Sequence, residues 1–285
     1  EPDVRGGTEG SGLGSRPSPT QPLTHSPTHP LFRSPAHPLL GVVADDLTGA
    51  VDTGVQFARR GLETLILLEM GARSAGEVLV VTTDSRDEPP AEAYRRATVA
   101  AASMGGRFVY KKIDSTVRGN VGAELDGLMD ALSIPRALVA PAFPATGRTT
   151  IDGIHLVDGV PLAEGPFARD PVWPARESNL PAMLARQTRR QVGHIPLSTV
   201  ERGARAVAEA LRAEPAPIVV ADAADARHLT ALAAALVVSD ERWLPCGSAG
   251  LAEEIPGALG LGRQSEPFRW TRDPRPALIV AGSRG

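Results

Sequence analysis

Ten consecutive residues, Lys111-Lys112-Ile113-Asp114-Ser115-Thr116-Val117-Arg118-Gly119-Asn120, gather two ammonium groups, a carboxylate, two hydroxyls, a guanidinium and an amide. They follow the apolar Phe108-Val109-Tyr110 and precede a helix-like pattern. Such a set suits an anion. A helix N-terminus offers free N–H groups and partial positive charge, and Arg118 presents a planar fork that matches a carboxylate or phosphate. Lys112 adds a second cation, Asp114 can orient hydroxyls such as Ser115 or a lysine, and Asn120 stands where an N-cap is expected. A second cluster, ADDLTGA (44–50), sets Asp45 beside Asp46 ahead of Thr48 and Gly49. Two carboxylates this close can divide the work, one accepting hydrogen bonds from hydroxyls and one acting as base or orienting group. The third cluster, in 141–159, holds Arg148, Thr149, Thr150, Asp152, His155 and Asp158 among glycines that permit tight turns. Each cluster has a plainer account as a capped loop, with Asn120, Asp46 or Thr48 as the cap. His155 is expected to be a hydrogen-bonded structural residue rather than a catalyst.

The elements between the clusters explain why three polar groups arise on one chain. LLGVVA (39–44), TLILL (64–68), VLVVTT (78–83), FVYKK (108–112) and ALVA (137–140) are short apolar runs of the kind buried in parallel sheets. Helical patterns separate them: one after Asp46 with Val51, Val55 and Ala58 on a common face, then 91–103 and 121–132. Strand, loop and helix in this order predict an α/β fold, an open, doubly wound and mostly parallel sheet with right-handed crossovers. Such sheets bind ligands beyond the carboxyl ends of their strands, which is where all three clusters fall. Beyond Gly153 the turn signals Asp152-Gly153 and Asp158-Gly159 predict a hairpin or extended arm. A Pro-rich passage, a helix over 180–190, the strand PIVVADA (217–223) and a helix over 224–235 follow.

Composition excludes several classes. The 285 residues are 42% hydrophobic and 22% charged, enough for a sizeable core, and a net charge of -3 gives no pull toward nucleic acid or anionic membrane. The apolar runs are too short for a membrane helix, and the single cysteine, Cys246, fits a reducing, cytoplasmic setting and is expected to be inert. Residues 1–38 hold eight of the 26 prolines with almost no apolar periodicity, and are expected to be a disordered tail. Their histidines, His25, His29 and His37, match no common metal spacing, and no metal site is expected. Neither a G-x-x-x-x-G-K-[ST] loop nor a strand-anchored G-x-G-x-x-G is present, and the adjacent aspartates depart from the Asp-x-Asp of haloacid-dehalogenase-type phosphatases.

Four stretches together, ADDLTGAVDTGVQFARRGL, YKKIDSTVRGNVGAELDGL, APAFPATGRTTIDGIHLVDGVPL and CGSAGLAE, resemble the four-carbon acid sugar kinase family, also known as domain of unknown function 1537. The resemblance runs from about Gly41 to Gly285. It implies a first α/β domain that binds a tetronic acid such as erythronate, threonate or 3-oxo-tetronate, and a second that supplies most contacts to ATP. The implied reaction transfers the γ-phosphoryl group of ATP, with Mg²⁺, to the terminal hydroxyl. On that basis Arg118, helped by Lys112 and the helix end near Asn120, holds the substrate carboxylate. Asp45 and Asp46 grip hydroxyls and one orients the attacking oxygen, with Asp114 and Ser115 beside them. Arg148 and Asp152 are weaker candidates for closing the site, and Ser283 matches a position that faces ATP. The expected division is a tail (1–38), an acid-binding domain (39–265), and a linker with the first strand of a nucleotide-binding domain (266–285). A non-catalytic small-acid-binding module is the alternative. The expected partner is a small sugar acid, with no nucleic acid and no membrane, and a homodimer is held open.

Overall fold

The computed structural model describes residues 38–69, 76–104 and 108–261. The expectations for the tail (Pro38 apart), for 266–285 and for Ser283 lie outside the described residues. Strands β1 (Leu40–Ala44), β2 (Thr64–Leu67), β3 (Val78–Thr82), β4 (Phe108–Lys112) and β5 (Arg136–Ala140) alternate with helices α1 (Leu47–Arg59), α2 (Pro90–Ala101) and α3 (Val121–Leu132). A small antiparallel sheet follows, β6 (Arg148–Ile151), β7 (Ile154–Val157) and β8 (Val160–Pro161), and then α4 (Leu180–Ala185). The chain returns to the main sheet through β9 (Val192–Ile195), α5 (Leu197–Val200), α6 (Ala204–Ala213), β10 (Ile218–Ala221), α7 (Ala226–Val238), β11 (Trp243–Gly247) and α8 (Ala249–Ala258).

The eight-stranded sheet has the order β2-β3-β1-β4-β11-β5-β10-β9 and is parallel at every pairing. Its central strands β1, β3, β10 and β11 are buried along their whole length, which is why they read as continuous apolar runs. Helices α1, α6, α7 and α8 cover one face, and α2, α3 and α4 the other. The helices after β1 and β11 therefore leave toward one face while α3, after the intervening β4, leaves toward the opposite one. The loops part there, and a crevice opens at the carboxyl ends of β1, β4 and β11.

The structure corrects the sequence in three places. The face of α1 with Val51 and Val55 is solvent-exposed, and the helix instead buries Gly49, Ala50, Thr53, Gly54, Gln56 and Phe57. Small residues let it lie close to the sheet: a Cβ on Gly54 would already touch Thr64, Ile66 and Val80 at 3.5–3.6 Å. The helix expected over 180–190 stops at Ala185. Finally, the structure adds β9, α6 and β11: β9 and β11 carry signals too short or too mixed to separate from loops, whereas α6 has a clear amphipathic pattern with Val207, Ala208 and Leu211 on its buried face. Pro245 interrupts β11, whose pairing with β4 starts only at Cys246.

Candidate functional site

The crevice is a cavity of about 400 Å³ lined by Asp46, Thr48, Gly49, Asp52, Arg86, Lys112, Asp114, Ser115, Arg118, Phe143 and Ser248. Its floor is set by β4. Consecutive side chains of a strand point to opposite faces. Lys111 turns toward α3, where its Nζ meets Glu124 Oε2 at 2.7 Å with both side chains buried. Lys112 turns toward α1 and lines the cavity. Its neighbour there is Gly49, where a Cβ would stand 2.9 Å from Lys112 Nζ and 2.6 Å from Asp46 Oδ1. Only glycine leaves room for both groups.

Lys112 is 4% exposed, and among the described residues its Nζ has no hydrogen-bond or ion-pair partner. Burial lowers its pKa from the ordinary lysine value, and the attraction of Asp45, Asp114, Asp52 and Asp46 offsets this only in part. An ammonium whose burial is offset only in part gains from an anion that joins it.

Around it, each cation already shares a carboxylate. Arg86, in the loop after β3, donates from Nε to Asp45 Oδ2 at 2.6 Å and from Nη1 to Asp46 Oδ2 at 2.7 Å. Burial opposes its charge, but Asp45, Asp114 and Asp46 outweigh that and raise its pKa. Asp46 also caps α1, its Oδ1 accepting from Gly49 N at 2.7 Å. Arg118 grips Asp114 through Nε (2.7 Å) and Nη2 (3.2 Å), while its Nη1 lies 3.9 Å from Asp170. Thr116 Oγ1 donates to the same carboxylate. Against the upward push of burial, Arg118, Arg86 and Thr116 hold the Asp114 carboxyl well below the usual carboxylate range. Asp45 is 2% exposed, and its Oδ1 is a buried acceptor without a hydrogen-bond partner.

The loop that carries Arg118 is itself strained. Val117 sits at φ +54°, a region β-branched residues avoid, and Gly119 follows at +94°. Packing holds it: Val117 is buried in the core under α3, and His155 Nε2 lies 2.7 Å from the Ser115 carbonyl while Nδ1 meets Thr150 Oγ1 at 3.0 Å. Burial lowers the pKa of His155, in β7, from 6.5 to about 4, so it is a neutral, hydrogen-bonded structural residue, as expected.

Of the sequence candidates, Asp46, Lys112, Asp114, Ser115 and Arg118 meet in the cavity wall, with Asp45 directly behind. Three others do not join them. Asn120 stands at the α3 N-cap position without capping it, and its Nδ2 donates to the carbonyls of Ser85 (3.2 Å), Arg86 (3.4 Å) and Glu88 (2.7 Å). Arg148 turns to the Thr146 carbonyl in its own turn. Asp152 lies in the β6–β7 turn, its N–H donating to Asp222 Oδ2 at 2.6 Å beside β9 and β10. The hairpin meets the cavity wall through His155, which holds the Ser115 carbonyl, while Arg148 and Asp152 are engaged elsewhere. Conversely, sequence reasoning missed Arg86, Ser85, Asp52, Glu124 and Ser248. The signal for the first two was present: Thr83-Asp84-Ser85-Arg86-Asp87 is another polar run directly after a buried strand.

An open α/β sheet with ammonium, guanidinium and carboxylate groups converging at its switch point has the architecture of a small-molecule-binding domain. Comparison with known proteins narrows this. Residues 40–255 match the family model of the sugar-binding N-terminal domain. The chain is 41% identical over 244 residues to the D-threonate kinase of Salmonella typhimurium, covering 83% of this chain and 56% of that protein. It is 42% identical over 200 residues to the D-erythronate kinase of Heliobacterium modesticaldum, covering 65% and 45%. The 3-oxo-tetronate kinase of Methylobacterium radiotolerans is 37% identical over 249 residues, covering 81% and 56%. A crystal structure of a domain of unknown function 1537 from Bordetella bronchiseptica, a domain-swapped dimer with bound citrate, superposes with a TM-score of 0.67 at 37% identity, over 78% of this chain and 55% of that one. A Haemophilus influenzae protein gives 0.70 at 29% identity, over 78% and 57%. The chain belongs to the four-carbon acid sugar kinase family and spans about half the length of the curated relatives it matches.

Proposed function

We propose that this chain binds a four-carbon sugar acid of the tetronate type, and that in the whole protein it presents the terminal hydroxyl of that acid for phosphorylation by ATP. The observation that carries the proposal is Lys112, a largely buried lysine that lines a cleft with Arg118, Arg86 and several carboxylates and whose ammonium has no hydrogen-bond or ion-pair partner among the described residues. Lys112 and the free edge of Arg118 receive the substrate carboxylate. Asp46 and Asp114 accept from the hydroxyls, and Asp45, through its open acceptor, completes the wall or orients the attacking oxygen. Ser115 and Ser248 add neutral donors near the mouth. Asn120, Arg148 and Asp152 support the scaffold and leave the ligand to the others.

Phosphoryl transfer demands mainly positioning and neutralisation of charge, which fits a domain built to fix one reactant. Among the described residues no three His, Cys, Asp or Glu side chains converge as a metal-binding group. Mg²⁺ needs no such cage, since it is commonly held by one or two carboxylates and the phosphates of its nucleotide. ATP and Mg²⁺ are accordingly assigned to the part of the family's length that follows residues 39–265. The alternative, an acid-binding module without catalysis, shares the binding step and differs in turnover.

Calorimetric titration with erythronate, threonate and 3-oxo-tetronate tests the reading, with ADP release in the presence of Mg-ATP separating the two versions. At 100 times its dissociation constant, a bound acid adds about 2.7 kcal/mol of stability. Absence of binding by all three acids to the folded protein overturns the proposal.

A further inference from the structure

Beneath the cleft runs a chain of buried polar groups that the binding step does not touch. Lys111 Nζ pairs with Glu124 Oε2 at 2.7 Å, and the other oxygen of Glu124 accepts from Ser85 Oγ at 2.5 Å. Ser85 Oγ lies 2.6 Å from Thr83 Oγ1, which donates to the Ala44 carbonyl at 2.9 Å. Lys111, Glu124 and Ser85 are each at most 1% exposed. For a lysine so buried, desolvation lowers the pKa, yet the carboxylates of Glu124 and Asp45 outweigh it and the ammonium is retained. The backbone continues the same construction. Ser85 N donates to the Asp45 carbonyl at 2.9 Å, and the Asn120 amide holds the carbonyls of Ser85, Arg86 and Glu88. The next residue is Arg86, the bridge across Asp45 and Asp46.

We infer that Glu124, acting through Ser85, is a positioning residue of this site: it fixes the loop after β3 so that Arg86 holds Asp45 and Asp46 in the arrangement that meets the acid. The inference rests on the proposed function for its consequence on binding, and on the geometry alone for its consequence on Arg86. A buried ion pair is a poor source of stability, since its desolvation cost can exceed its attraction. Here its second carboxylate oxygen is spent on one hydroxyl, and that hydroxyl belongs to the residue before the bridging arginine. The Asn120 amide and Arg96 hold carbonyls of the same loop, and the Ser85 hydroxyl adds the one side-chain bond made by the residue directly before Arg86.

The test separates the two consequences. In the ligand-free protein, the Arg86 Nε–H, locked against Asp45, gives a resolved, slowly exchanging signal in nitrogen–proton correlation spectra. Ser85→Ala, which removes one hydroxyl from a folded core, is expected to shift that signal to the exchange-broadened range of exposed arginines while the thermal unfolding transition stays cooperative. Ser85→Ala is also expected to weaken acid binding roughly fivefold to tenfold, part of what one hydrogen bond to a carboxylate contributes. In the Ser85→Ala/Arg86→Ala pair the loss is expected to equal that of Arg86→Ala alone, because Ser85 acts only through Arg86. An unchanged Arg86 signal in Ser85→Ala, or losses that add in the double variant, overturns the inference. If the parent protein binds none of the acids, the proposed function fails by that result, and the ligand-free spectra still decide the role of Ser85.

Discussion

Replacing Lys112 by methionine is the most informative single perturbation, because its effects on stability and on binding should have opposite signs. Methionine keeps most of the aliphatic stem that lies along α1 and removes only the charge. In the free protein Lys112 is 4% exposed, its ammonium has no hydrogen-bond or ion-pair partner among the described residues, and its lowered pKa records that burial costs more than Asp45, Asp114, Asp52 and Asp46 return. Removing it should leave stability unchanged or raise it, because the buried charge is only partly compensated in the free protein. In the complex the same ammonium faces a carboxylate in a partly dehydrated cleft, a contact worth about 1.5–3 kcal/mol. Acid affinity should then fall roughly 10- to 150-fold. Urea unfolding gives the first quantity and calorimetric titration the second. The sign against pH follows as well. The acid selects the protonated lysine, so affinity in the parent protein should weaken on raising the pH before the ordinary lysine value of 10.5 is reached. A variant that loses about 2 kcal/mol of stability and keeps its affinity would show that Lys112 is a structural residue and refute the reasoning.

Other outcomes follow from the same contacts. Arg118→Lys, which replaces a two-point grip on Asp114 by a single point charge, should lower acid affinity about tenfold or more with little change in fold, as read by titration and circular dichroism. His155 has a folded pKa of about 4 against 6.5, so its neutral form contributes stability that is full above pH 6.5 and lost as the pH falls toward 4. The loss is about 3 kcal/mol, and the urea midpoint should rise with pH across that window in the parent protein and more weakly in His155→Gln. Asp222 is fully buried and accepts from the N–H groups of Asp152, Gly153 and Leu197 and from His194. Asp222→Asn turns one acceptor into a donor facing donors and should cost about 2–4 kcal/mol in chemical denaturation, loosening the β6–β7 hairpin while leaving the cleft itself intact.

The sequence by itself determined the first five strands of the sheet and where polar residues gather at their ends. Strands that lie between two layers of helices must be apolar on both faces, so β1, β3, β4 and β5 announce themselves as unbroken runs, and polar residues can resume only where each strand ends. Lys112, Asp114, Ser115 and Arg118 were legible for that reason, as were Asp45 and Asp46. Which strand ends become neighbours is not local information. β11 enters between β4 and β5 from more than 100 residues away and brings Ser248 to the cleft. Arg86 joins Asp45 and Asp46 only because β3 lies beside β1. The same rule removed candidates. Arg148 and Asp152 carry suitable chemistry, but their hairpin is fixed to β9 and β10 through Asp222, and Asn120 is spent on the carbonyls of a loop 32–35 residues earlier. Lys111 and Lys112 are adjacent and chemically identical, and a period of two sends one into a buried ion pair and the other into the cleft. Residue type decided what each group was able to do. Burial and the order of strands decided which of them were left free to do it.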